Sequence, residues 1–131
     1  LMLLYGHRFI PSDSFYHVLD IDSINNTPPS SIIHIEFCEE NLDIIEHTKI
    51  NQIHSSISCQ TITEIIYASS LGASFIVIHP DLCKNAIKIA NDYLFDAKIL
   101  VLIEEEEEIE ALALSGVDGV IFSNAIIKIN S

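Results

Sequence analysis

The spacing of apolar and polar positions changes period several times along the chain. SIIHIEF (31–37) alternates, with Ile33, Ile35 and Phe37 on one side and His34 and Glu36 on the other, the period of two expected of a strand. QIHSSIS (52–58) repeats the arrangement, Ile53 and Ile57 opposing His54, Ser56 and Ser58. ASFIVIH (73–79), KILVLI (98–103) and GVIFS (119–123) are more continuously apolar, as in strands covered on both faces. Between these runs the spacing is helical. ENLDIIEHTKIN (40–51) and TITEIIYASSLG (61–72) are two such segments. The second is opened by Thr61 with Glu64 three residues on, the arrangement of a capping box, and is ended by Gly72. Pro80-Asp81 opens a third, with Leu82, Ala86, Ile89, Ala90 and Tyr93 on one face, and an acidic-led helix ends at Gly116.

Five strands joined by helices of ordinary length require crossover connections, which give a parallel sheet. The expected fold is α/β: a five-stranded parallel sheet flanked by helices, doubly wound in the flavodoxin or receiver manner. The alternative is half of a (βα)8 barrel, since a whole one needs about 200 residues or more and the chain has 131. A faint repeat, LGASFIVI against SGVDGVIF, fits either repeated βα units or any two helix-to-strand junctions. LLYGHRFI (3–10) and FYHVLDI (15–21), split by the turn-forming Pro11-Ser12-Asp13-Ser14, read as a short hairpin. With the Asn/Pro/Ser-rich segment 25–31, residues 1–30 are expected to be an appendage on a repeated βα core at 31–131, the whole forming one domain.

Composition limits the partners. Nineteen acidic against six basic residues give a formal net charge of −13, which repels nucleic acid and anionic lipid headgroups. Cys38, Cys59 and Cys83 are odd in number and lack metal-site spacing. No apolar run approaches the roughly 20 residues of a membrane span, and LMLLYGHRFIP lacks the features of an export signal. A cytoplasmic location is expected.

The ordered polarity of the first two core strands supplies the candidate chemistry. His34, Glu36, His54 and Ser58, joined by His79 at the end of the third strand, could converge on a polar cavity. His34, Glu36 and His54 are the residues that could ligate a divalent metal or perform acid/base work there. The same face could instead be solvated, covered by residues 1–30, or buried against a partner. Glu104–Glu108 is explained by the first turn of a helix, where carboxylates meet unsatisfied N–H groups. Tyr5, Gly6, His7 and Arg8 form a second polar set, in which Arg8 could grip an anion or pair with local acids.

Residues 72–126, and above all ALALSGVDGVIFSNAI (111–126), resemble the closing unit of phosphate-binding (βα)8 barrels of the indole-glycerol-phosphate synthase kind. Gly116-Val117-Asp118-Gly119-Val120-Ile121 carries the likeness. The resemblance implies a phosphorylated ligand near Ser123 and Asn124, which stand where that family has Gly-Ser. The same stretch resembles the end of a response-regulator receiver domain, with Glu39 and Glu40 in place of its acidic pair. His79 stands where that family has its phosphorylated Asp, so the likeness implies a degenerate module without phosphotransfer. No catalytic set is complete. The expected function is therefore a non-catalytic binding or regulatory module without a cofactor, acting on a protein partner or small ligand. The alternatives are a metal-dependent or acid/base enzyme using the His/Glu cluster, and a structural homodimer.

Overall fold

A computed structural model describes residues 1–129. Eight strands, β1 (Leu3–Tyr5), β2 (Phe15–His17), β3 (Ile32–Glu36), β4 (Ser55–Ser58), β5 (Phe75–Ile78), β6 (Lys98–Ile103), β7 (Gly119–Phe122) and β8 (Ile126–Lys128), form one sheet in the order β1-β7-β6-β5-β4-β3-β2-β8. Every pairing is parallel. Helices α1 (Leu42–Ile50), α2 (Ile62–Ser70), α3 (Cys83–Asp92) and α4 (Ile109–Ser115) connect β3 through β7 in succession. Thr61 Oγ1 accepts from the Glu64 N–H at 3.1 Å, and Gly72 and Gly116 follow α2 and α4 with φ of 87° and 85°. No helix among the described residues is long and apolar enough to cross a membrane.

The five expected strands are β3 to β7, but the sheet has eight, not five. The expected hairpin is also corrected: β1 pairs with β7, while β2 pairs with β3 and β8. Residues 1–30 thus supply two strands of the sheet. Double winding is replaced by the half-barrel alternative. From β3 to β7 the strand order never reverses, so successive crossovers lay the helices on one face. Ile33, Ile35, Ile57, Ile76, Ile99 and Val120 pack there with Ile44 and Ile45 of α1, Ile65 of α2, Ala86 of α3 and Leu112 of α4.

Among the described residues the opposite face has no helix layer, and it covers itself by curling. β7 and β8 lie six places apart in the order, about 29 Å in a flat sheet at roughly 4.8 Å per strand. Phe122 and Ile126 are joined by four peptide steps, at most about 14 Å, so the sheet must bend. The aromatic rings on the concave face confirm the bend. Tyr5 of β1 and Phe15 of β2 meet at 4.9 Å between centroids, and Phe15 lies 5.3 Å from Phe75 of β5. Val77, Leu100 and Ile121 complete this second apolar cluster. Both faces of the later strands read as apolar because one meets helices and the other meets the far side of the same sheet.

β1 can join because β7 begins with glycine. A Cβ at Gly119 would lie 2.5 Å from the Leu3 carbonyl oxygen and 2.6 Å from Leu3 Cβ, so only a bare backbone lets the strand approach.

Candidate functional site

The concave face changes character toward the carboxyl ends of the strands. Phe15, Ile32, Phe75, Val77 and Leu100 lie within it, whereas residues of the same alternating phase further along are polar: His17, Glu36, Ser58, Glu104, Ser123 and Lys128. In open parallel sheets and barrels this end is where ligands bind.

Within the curl, His17 and His34 are register partners whose rings meet edge-on at 5.4 Å. His34 Nδ1 is hydrogen bonded to Ser56 Oγ at 2.9 Å. His34 is only 4% exposed. Burial first, then the neighbouring His17, push it down to about 3, so its imidazole is neutral across the ordinary pH range. Burial also lowers His17, with Glu36 opposing the shift and Lys128 adding to it. His34 is therefore a hydrogen-bonded part of the packed interior, with the half-buried His17 ring against it.

The five residues that the sequence groups together are placed unequally. His34, Glu36 and Ser58 share the concave face, and Glu36 and Ser58 are register partners at the carboxyl end. His79 is exposed just beyond β5. His54 lies at the amino end of β4, exposed, with its Nδ1 3.2 Å from Ser74 Oγ. The proposed ligand set of His34, Glu36 and His54 is thus split between a buried ring and the two ends of the sheet. Among the described residues no three His, Cys, Asp or Glu side chains are grouped to hold a metal ion.

A denser polar constellation forms where β1, β6 and β7 end. An open cavity of about 350 Å³ there is lined by Gly6, His7, Arg8, Glu104–Glu107, Phe122 and Asn124. Glu106 Oε1 accepts from His7 Nε2 at 2.7 Å and from Arg8 Nε at 2.9 Å, while Arg8 Nη2 reaches Glu106 Oε2 at 3.3 Å. The hydrogen bond from Arg8 leads in holding the Glu106 carboxyl below the usual carboxylate range. The Phe9 N–H donates to His7 Nδ1 at 3.1 Å, which assigns the imidazole proton to Nε2. Ser123 Oγ donates to Glu104 Oε2 at 2.8 Å, and Asn124 Nδ2 donates to the Gly6 carbonyl at 3.1 Å.

The acidic run divides by direction. Glu105 and Glu108 form a capping box around the 3-10 turn Glu106–Glu108 that leads into α4, as expected of a helix start. Glu104 and Glu106 instead hold Ser123, just beyond β7, and His7 and Arg8, just beyond β1. Arg8 pairs with an acid, as one of its two expected uses has it, but with one 98 residues away and not a local one.

The residues behind the barrel resemblance also have identifiable structural partners. Asp118 Oδ2 accepts from the Ile99 N–H at 2.7 Å, Gly116 ends α4, and Gly119 receives β1. No family model matches this chain, and no curated protein matches it.

Sequence reasoning noted His7, Arg8 and the glutamates but did not join them, because the junction depends on β1 lying beside β7. Their separation, 98 residues for Arg8 and Glu106, leaves no periodic trace. His17 and Lys128 carry little sequence signal. For His17, its phase shared with Phe15 was the one available sign.

Proposed function

We propose that this protein is a non-catalytic module that binds a small ligand bearing amine or hydroxyl donors in the cavity at the ends of β1, β6 and β7. The observation that carries this reading is that the cavity's imidazole is already committed at both nitrogens. His7 Nδ1 accepts from a backbone N–H and Nε2 donates to Glu106, so neither is free to take a substrate proton. Two further facts support it. The other clustered histidine, His34, is buried and neutral, and burial pushes the Cys59 thiol up to about 12, which removes it as a thiolate nucleophile.

Ligand polarity follows from the lining. Four glutamates face one arginine, and that arginine is paired, so the cavity favours donors and cations over phosphate. A phosphorylated ligand, as the resemblance of residues 72–126 implies, would have to compete with Glu106 for Arg8.

The test is a thermal-shift screen of polyamines, amino sugars and polyols alongside phosphorylated metabolites, followed by calorimetry on any hit. A ligand at 100 times its Kd adds about 2.7 kcal/mol to the folded state, a shift of several degrees. The expected result is a shift by a donor-bearing compound, reduced in Glu104→Gln and His7→Ala. A shift by phosphorylated compounds alone, or one unaffected by both substitutions, overturns the reading.

A further inference from the structure

The helix-covered face carries an apolar groove with no partner in the fold. One wall is α1, presenting Leu42, Glu46 and Ile50; the other is Tyr67 of α2 with Leu71 just beyond the helix, and Phe37 closes one end. The space is about 430 Å³ at the Phe37 end and about 540 Å³ toward Ile50, and both parts share Leu42 and Leu71. Phe37 and Tyr67 stand 6.0 Å apart between ring centroids. Exposure is high for such side chains: 38% for Leu42, 52% for Tyr67 and 70% for Ile50. Isolated exposed apolar residues are ordinary, but a connected set lining a groove marks an interaction surface.

Its rim gives the partner's sign. Glu39 and Glu46 line the groove, Lys49 is the one cation in its lining, and Glu40 and Asp43 are exposed beside it. The chain as a whole carries −13. A second copy is a poor occupant, because a two-fold contact would set this acidic rim against itself. From Leu42 to Ile50 the α1 wall is about 12 Å long at 1.5 Å per residue, room for about two turns of a bound helix.

We propose that the groove between α1 and α2 docks a basic amphipathic helix of a partner protein. Its apolar residues, spaced i, i+4 and i+7, seat between Tyr67 and Leu42, and its cations face Glu39 and Glu46. The proposal is independent of the cavity beyond β1, β6 and β7.

A fluorescein-labelled Leu/Lys peptide with leucines at i, i+4 and i+7 is titrated with the full chain by anisotropy. A control peptide of the same composition has the leucines scrambled. The patterned peptide should bind at least about tenfold more tightly than the scrambled one. Tyr67→Ala and, separately, Glu46→Lys should each weaken it about tenfold, the size of an interface anchor. Both positions are exposed, and circular dichroism verifies that each variant is folded. Amide shift changes on binding should cluster at Phe37, Leu42, Tyr67 and Leu71. Equal binding of the scrambled peptide, or shifts centred elsewhere, overturns the proposal. So does a dimer in sedimentation that Tyr67→Ala dissolves, since a second copy would then occupy the groove.

Discussion

Substituting Gly119→Ala should detach β1 from the sheet. The added Cβ would lie 2.5 Å from the Leu3 carbonyl oxygen, 2.6 Å from Leu3 Cβ and 3.0 Å from Leu100 Cδ2. The first is backbone and the second is fixed directly to it, so neither can rotate aside. Restoring an ordinary contact of roughly 3.5 Å means moving β1 by about 1 Å. The Leu3 N–H, now 2.9 Å from the Asp118 carbonyl oxygen, would then lie beyond hydrogen-bonding range. Net losses of about 0.5–1.5 kcal/mol per hydrogen bond over the short β1–β7 ladder, with an overpacking cost of about 1–3 kcal/mol if the strand stays, bracket the effect at about 2–4 kcal/mol. At about 3–5 °C per kcal/mol for a chain of this size, Tm should fall by about 10 °C. Urea unfolding gives the free energy, and hydrogen exchange gives the location: the amides of Leu4 and Tyr5 should lose protection before those of β4 and β5. A chain lacking residues 1–5 is the decisive background, because most of the cost should vanish there. An unchanged urea midpoint, or an equal cost in both backgrounds, refutes the docking of β1 on Gly119.

Other consequences concern the concave face. His34 has a folded value of about 3 against about 6.5 when unfolded, so the unfolded chain takes up the proton first as pH falls. Stability should therefore be full above about pH 6.5 and decline below it by up to roughly 1.4 kcal/mol per pH unit. Urea midpoints between pH 5 and 7 measure this, and His34→Gln should flatten the slope; an equal slope in the variant refutes the assignment. Ser56→Ala removes the partner of His34 Nδ1 and should cost about 1–3 kcal/mol, the penalty of an unsatisfied buried polar group; a neutral result would mean the ring finds another partner. Phe15→Ala should cost about 3–5 kcal/mol. In a double-mutant cycle with Phe75→Ala the two rings, 5.3 Å apart, should couple by about 0.5–1.5 kcal/mol. Zero coupling would refute the curl, because β2 and β5 do not pair in the strand order.

What could be read from the sequence was whatever local spacing encodes. Ile33, Ile35 and Ile57 set the phase of β3 and β4, Thr61 and Glu64 marked the start of α2, and Gly72 and Gly116 marked helix ends. These depend on residues within a turn or two of each other. The strands β1, β2 and β8, each only three residues long, are too short to show a period. Their places are set by partners far along the chain, Leu3 by Gly119 and Phe15 by both Ile32 and Ile126. A hairpin was the natural local reading of 3–21, since it needs nothing outside those residues. The alternation in SIIHIEF did identify a polar phase on one face, but not the curl that buries part of it. That is why His34 proved to be interior and His54, of the same phase, lies at the opposite end of the sheet from Glu36 and Ser58.

The filling of the curl determines where chemistry can occur. Tyr5, Phe15 and Phe75 meet at its centre, with Leu100 and Ile121 packed in the same cluster, and the His34–Ser56 pair occupies the neighbouring polar stretch. Barrel interiors of this kind are packed cores, not pores. The polar groups there satisfy one another, and no buried side-chain nitrogen or oxygen among the described residues lacks a partner. An interior site for a ligand would need such unpaired groups to recognise it. Open space bordered by polar side chains lies instead at the rim, just beyond the strands, where His7, Arg8, Glu104 and Glu106 surround it. The proposed rim site depends on β1 as well. It carries no apolar anchor larger than Leu3, Leu4 and Tyr5, yet its position against Gly119 sets where His7 and Arg8 reach Glu106. Loss of that strand should remove rim binding while the helix groove between α1 and α2, built on β3 and β4, keeps its shape.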